Sequence, residues 1–168
     1  AARTLARRGR RARHLAAAAH HASAFPDEGE ITEVRAAHYL DAYAAAPDAD
    51  DAAEVKTKAR RTLTRAGERA DALGAAGEAR RYLEQAADLS DEPSERGNLL
   101  ERAGWHAQYD ADYDTAERLL GASIADYESV GDTRAAVRAS GRLSSVGMSW
   151  FAPRNRWLRC LPSASCRL

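Results

Sequence analysis

Five histidines, two cysteines and three tryptophans are the residues here that could hold a metal, carry a proton or anchor a partner. His14 and His21 stand seven apart and share one face of a helix, where two imidazoles could bind a metal or move a proton. A zinc-hydrolase helix needs two histidines four apart with a glutamate between them, and no such pair occurs. The stripe that carries His14 and His21 holds no carboxylate, and His38, beside Tyr39, reads as a packed ring. Cys160 and Cys166 are too few for a disulfide framework or a four-ligand zinc site, and no electropositive helix start precedes them. Serine, aspartate and histidine occur without a G-x-S-x-G elbow, and no G-x-x-x-x-G-K-[ST] loop is present. No catalytic residue, metal site or cofactor is therefore expected.

Whatever these side chains do, helices must position them. Ala, Arg, Glu, Leu and Asp dominate the 168 residues, and such side chains lose little freedom in a helix. Pro26, Pro47, Gly74, Pro93 and Gly131 punctuate the chain. Helices are expected over about 5–23, 31–45, 52–73, 76–89, 94–109, 113–130 and 133–146. In the third, Val55, Ala59, Leu63, Ala66, Ala70 and Leu73 recur at steps of three and four, a one-faced helix. The short connections predict antiparallel neighbours. No segment alternates with period two, so no sheet is expected.

Gly67, Gly104 and Gly141 are each 37 residues apart. Leu63, Leu100 and Val137 keep the same spacing, as do Ala66, Ala103 and Ser140. In the following helix Ala79 matches Ala116, Leu83 matches Leu120 and Ala86 matches Ser123. A fixed period of this size marks stacked helix pairs that share a core. The glycine is expected where the two helices of a unit come closest, since a Cβ there would push them apart. The offsets from glycine fit the tetratricopeptide pattern: leucine four before, alanine twelve after, a large apolar residue sixteen after and a small one nineteen after. The period is longer than the usual 34, and the pattern's aromatics are absent, Ala70 and Ala107 standing three after the glycines. The fold class is thus all-α: antiparallel helix hairpins stacked as a short, degenerate tetratricopeptide-like solenoid.

Residues 12–146 resemble a helical region of large bacterial regulators, especially of high-GC actinobacteria. In those proteins an adenylate or guanylate cyclase domain, or another effector, precedes an AAA-type ATP-binding module, and a tetratricopeptide array follows. The resemblance rests on "RHLAAAAHHASAFPDEGEITEVRAAHYLDAY", with Ala37, His38, Tyr39 and Ala42 in an A-x-H-Y-x-x-A pattern. "RAGERADALGAAGEARRYLEQAADL" resembles that family's first repeat, and "LLERAGWHAQYDADYDTAERLL" its next. It implies a lead-in over 1–50 and repeats over 51–146. The family's nucleotide and metal sites would lie in upstream domains. Residues 147–168 depart from the pattern: Pro153 stands where a small helix-packing residue belongs, and both cysteines lie here. That break fits a frameshifted or truncated tail. The other reading is a cap that packs Trp150, Phe151 and Trp157 onto the last hairpin. The start at Ala1 fits a fragment of a longer chain.

The groove of such a scaffold is lined by the first helix of each unit. By register its residues are Arg61, Thr64 and Glu68, then Asn98, Glu101, Trp105 and Gln108, then Arg138 and Arg142. Trp105 aligns with Glu68 and Arg142, so the core does not demand an aromatic there. It is expected either to anchor a partner peptide or to cover the neighbouring unit. The expected function is non-catalytic: contact with a protein or peptide, or with other domains of the same polypeptide, inside a larger ATP-dependent regulator. The alternative is contact with nucleic acid through Arg3, Arg7, Arg8, Arg10, Arg11 and Arg13, a cluster without a single acid. No helix-turn-helix accompanies it, and residues 15–146 are net −10, with 15 basic and 25 acidic side chains, so nucleic acid is not the favoured partner. No apolar run reaches the length of a membrane span, no signal core is seen, and a cytoplasmic location is expected.

Overall fold

The computed structural model describes residues 2–25 and 29–151, and side-chain surroundings for 6–25 and 31–146. Seven helices follow one another among these residues, with no strand: α1 Ala2–Ala24, α2 Gly29–Ala45, α3 Ala52–Ala72, α4 Ala76–Asp88, α5 Pro93–Tyr109, α6 Tyr113–Ser129 and α7 Thr133–Phe151. The all-helical expectation holds, and each interior boundary falls within a residue or two of the punctuation. α7 is the exception. It runs past the expected end at 146 to Phe151. Pro26, Pro153, Trp157, Cys160 and Cys166 lie outside the described residues, as do the side chains of Trp150 and Phe151.

Each helix packs against its predecessor and successor, and α5 also touches α7. The main core gathers Leu63, Leu83, Leu99, Leu119, Leu120 and Val146 around alanines from α2 to α6. Alanine makes this possible: a methyl side chain lets backbones approach, so a few leucines fill the remaining space. Tyr127, Ala135, Ala136 and Ala139 form a second cluster between α6 and α7.

The repeat glycines divide into two kinds. A Cβ on Gly67 would meet Leu83 Cγ at 3.0 Å, and one on Gly104 would meet Leu120 Cγ at 2.8 Å. Both leucines lie sixteen residues beyond their glycine, as the register requires. Gly97, one heptad before Gly104, meets Tyr127, one heptad after Leu120, with a Cβ contact of 3.1 Å. These two pairings run in opposite senses along α5 and α6, so the two helices are antiparallel. Ser123, between them, donates its hydroxyl to the Gly97 carbonyl at 2.7 Å. Gly141 differs: among the described residues nothing lies within 4 Å of a Cβ there. Val137, in register with buried Leu63, is 66% exposed. The close-approach role expected of Gly141 is therefore not seen, because no described helix follows α7 to press upon it.

The turn ending α3 uses Gly74 in the left-handed region, φ 73, with the Ala75 amide returning to the Ala70 carbonyl at 2.8 Å. Thirty-seven residues on, Ala111 takes that place with φ 59, and the Asp112 amide returns to the Ala107 carbonyl at 2.9 Å. The repeat therefore keeps the turn geometry where it has lost the glycine, at the steric cost of a Cβ in that region.

Candidate functional site

Side-chain ties join α3 to α5 and the turn before it, and α5 to α7, like rungs. Lys56 pairs with Asp91, Arg60 with Glu95, and Arg102 donates to Glu68 at 3.3 Å. Arg138 and Arg142 both reach Glu101, and the Gln108 amide donates to Ser145 at 3.0 Å. The partners in each rung are 34 to 41 residues apart. Similar spacing in every rung means the same face of each helix meets the same face of the next, one repeat on.

The densest rung centres on Glu101, which is 4% exposed. Arg138 Nη2 donates to its carboxylate at 2.7 Å and Nε at 2.9 Å. Arg142 Nε lies 3.0 Å away, and the Tyr127 hydroxyl donates at 3.1 Å. Burial by itself would raise the carboxyl pKa. The hydrogen bonds of Arg138 and Tyr127, with the charges of both arginines, outweigh it and hold Glu101 below the ordinary carboxylate range. Arg138 is raised correspondingly, chiefly by its hydrogen bond to Glu101. Burial raises the Tyr127 phenol, and the neighbouring carboxylate adds to that.

Beside this rung opens a cavity of about 550 Å³, lined by Asp71, Asn98, Glu101, Arg102, Trp105, His106, Arg138 and Arg142. Trp105 is 47% exposed, and the Arg142 guanidinium stands 4.9 Å above its ring centre, a cation–π distance. The ring is thus fixed on one side and open on the other. His106, at 6% exposed, lies 3.9 Å from Asp71, too far for a hydrogen bond. Burial, with Arg102, keeps it below the ordinary imidazole value against the pull of Asp71 and Asp110.

Five of the nine groove residues expected from register, Asn98, Glu101, Trp105, Arg138 and Arg142, meet at this one cavity. Glu68 lies at its edge, tied to Arg102. Gln108 sits a turn beyond, and its Oε1 is buried with no hydrogen-bond partner among the described residues. Arg61 and Thr64 line a separate cavity of about 630 Å³ with Arg35 and Tyr39 of α2 and Glu95 of α5. Glu101 departs from expectation, because it does not face away from the second helix. Tyr127 of α6 holds it, so it is a buried tie and not a displayed carboxylate. Register reasoning missed Tyr127, although Gly97 signalled it. A glycine one heptad from the repeat glycine marks a second place where α6 needs room.

His38 is a packed ring, as expected, and its partners are the histidines of α1, His14 and His21. The carboxylate missing from the α1 stripe comes from α2, with Asp41 Oδ2 3.6 Å from His14 Nδ1. Among the described residues no group of three histidine, cysteine, aspartate or glutamate side chains is arranged to hold a metal.

The arginine cluster of α1 faces acid from its own chain. Arg11 pairs with Asp51, and Arg7 and Arg10 line a hollow with Asp41 and Asp48. Among the described residues no helix is long and apolar enough to cross a membrane. Comparison with protein-family models, with curated proteins and with solved structures finds no match for this chain.

Proposed function

We propose that the chain is a non-catalytic, tetratricopeptide-like scaffold that binds a protein or peptide segment at the α5–α7 cavity. The observation that carries this reading is Trp105. A large aromatic, half-exposed, lies under the Arg142 guanidinium and lines a cavity whose other residues are polar or charged. Interfaces draw most of their energy from such pre-positioned aromatics ringed by polar groups. The repeat register supports the scaffold part of the reading. Gly67 on Leu83 and Gly104 on Leu120 repeat one helix contact, and the rungs repeat one inter-unit contact.

The cavity offers no nucleophile beside a free base. Glu101 is consumed by two arginines and a phenol, which suits binding and not chemistry. In keeping with the resemblance, the scaffold serves contact or intramolecular regulation within a larger cyclase- or ATPase-type regulator of the cytoplasm. The α1 arginines do not carry a second reading, since Asp41, Asp48 and Asp51 stand among them.

The test is a displayed library of random peptides selected on the purified chain. Selected peptides are expected to lose affinity at least about tenfold on Trp105→Ala, the range of an interface anchor. Thermal stability should change little, since the ring is half exposed. Equal binding to the Trp105→Ala variant would overturn the assignment of the site.

A further inference from the structure

We propose that His14, His21 and His38 form a proton-operated latch that holds α1 on α2 and releases it on mild acidification. This rests on the α1–α2 interface alone and is independent of the α5–α7 cavity.

The helix is weakly held by apolar contact. Of the described side chains of α1, only Ala18 is fully buried, and α2 is the helix on which α1 packs. Beyond that contact, Arg11 pairs with Asp51, and the imidazole rings meet across the two helices. His14 Nδ1 lies 3.2 Å from His38 Nδ1. Two ring nitrogens at that distance share one proton, one donating and the other accepting. The His21 ring stacks on His38 with centres 5.6 Å apart and planes 9° apart. His21 Nδ1 is buried with no hydrogen-bond partner among the described residues. His20 then tilts against His21 at 5.9 Å, and Phe25 closes the end at 6.4 Å from His21. Three imidazoles are thus packed together across one helix pair.

The first added proton goes to the unprotonated Nε2 of the donor ring and leaves an imidazolium–imidazole hydrogen bond. The next, on the accepting Nδ1, breaks it, setting two donors face to face and like charges within a ring's width. The charged groups around the stack do little to offset that. From α1, Arg7 and Arg10 line the same hollow as His14 and add positive charge. From α2, Asp41 is the acid that faces the rings, 3.6 Å from His14, but its side chain is 61% exposed and well screened. His38 accordingly sits below the ordinary imidazole value, first through burial and then through His14 and His21, with Asp41 opposing. A ring whose pKa is lowered when docked binds its proton more readily once released. Docking is therefore complete above the free-imidazole value of about 6.5 and is lost as pH falls below it. In the core of α3 to α6, built on Leu63, Leu83, Leu119 and Leu120, buried His106 of α5 is lowered in the same way, so a His106→Gln background separates its effect from that of the stack.

Hydrogen exchange of the whole chain tests this, at about pH 7.5 and about pH 5.5, in the presence of a chelator and corrected for intrinsic exchange rates. In the His106→Gln background, protection of α1 amides is expected to fall several-fold to about tenfold at the lower pH, while α4 to α6 keep theirs. His38→Gln, whose amide can still meet His14, is expected to keep α1 docked at both pH values. Equal protection of wild-type α1 at both, or a His38→Gln variant that retains the full fall, overturns the latch. If His38→Gln undocks α1 at both, the wild-type ring resonances decide. The His38 ring is then expected to titrate at the same midpoint as the α1 amides shift, and separate midpoints overturn the proposal.

Discussion

Replacing Arg138 and Arg142 together by methionine is expected to cost about 3–5 kcal/mol of folding stability near neutral pH, the range for stranding a buried charge. Methionine keeps most of the apolar stem, so the loss falls on Glu101. That carboxylate is 4% exposed and would be left with only the Tyr127 hydroxyl. The pH dependence separates this from a general loosening. In the wild-type chain the arginines hold the Glu101 pKa below its unfolded value. Its contribution is thus present above the unfolded value of about 4.3 and is lost as pH falls through the folded one. In the double variant burial is opposed only by the Tyr127 hydroxyl, and the carboxyl is expected to rise above its unfolded value. The penalty is then greatest at neutral pH and shrinks as acid neutralises Glu101. Urea unfolding of both chains at about pH 7 and about pH 4.5 checks this. A deficit that is the same at both pH values would mean that the arginines act through packing.

Leu120→Ala is expected to lose about 2–5 kcal/mol, the range for emptying a leucine site in a closed core. Leu120 is fully buried, and its Cγ sits over the Cα of Gly104. The partner glycine makes the claim specific. Gly104→Ala alone should destabilise, because its Cβ would lie 2.8 Å from Leu120 Cγ, and overpacking of this kind costs about 1–3 kcal/mol. In the Leu120→Ala background the same methyl enters the vacated space, and its effect should vanish or change sign. Gly141→Ala, at the equivalent position with an open surround, should instead stabilise by up to about 1 kcal/mol through helix propensity. Thermal unfolding of these variants gives both the sign and the coupling. A destabilising Gly141→Ala would show that its surroundings are closed.

The helices were legible because their ends carry glycine and proline and their interiors carry alanine, arginine and leucine. The repeat was legible because glycine at a close approach tolerates no substitute: 67 and 104 kept it, and Leu83 and Leu120 follow in register. The same logic misjudged Gly141, where spacing persists without a described partner. Position 111 hid its turn, because alanine there adopts the angle glycine takes at 74. The groove was legible only in part. Register placed Asn98, Trp105 and Arg142 on one face, but it could not tell a displayed carboxylate from Glu101. Burial of Glu101 depends on Tyr127, which belongs to the next helix. The tie from Arg96 to Asp126 brings that end of α6 against α5, and no repeat position announces it. The histidine stack was invisible because it joins residues 14, 21 and 38 across two helices whose pairing no motif announces.

The scaffold reading stands or falls on what lies against Trp105. A photoreactive phenylalanine analogue placed at 105, in the longest reading frame that contains this chain, with the exposed Glu117 position as a control, reads that contact directly. The expected result is a cross-link from position 105, and not from 117, to a protein or peptide segment, whether in another domain of the same polypeptide or in a partner. Cross-linking to nucleic acid, or no more cross-linking at 105 than at 117, would contradict it.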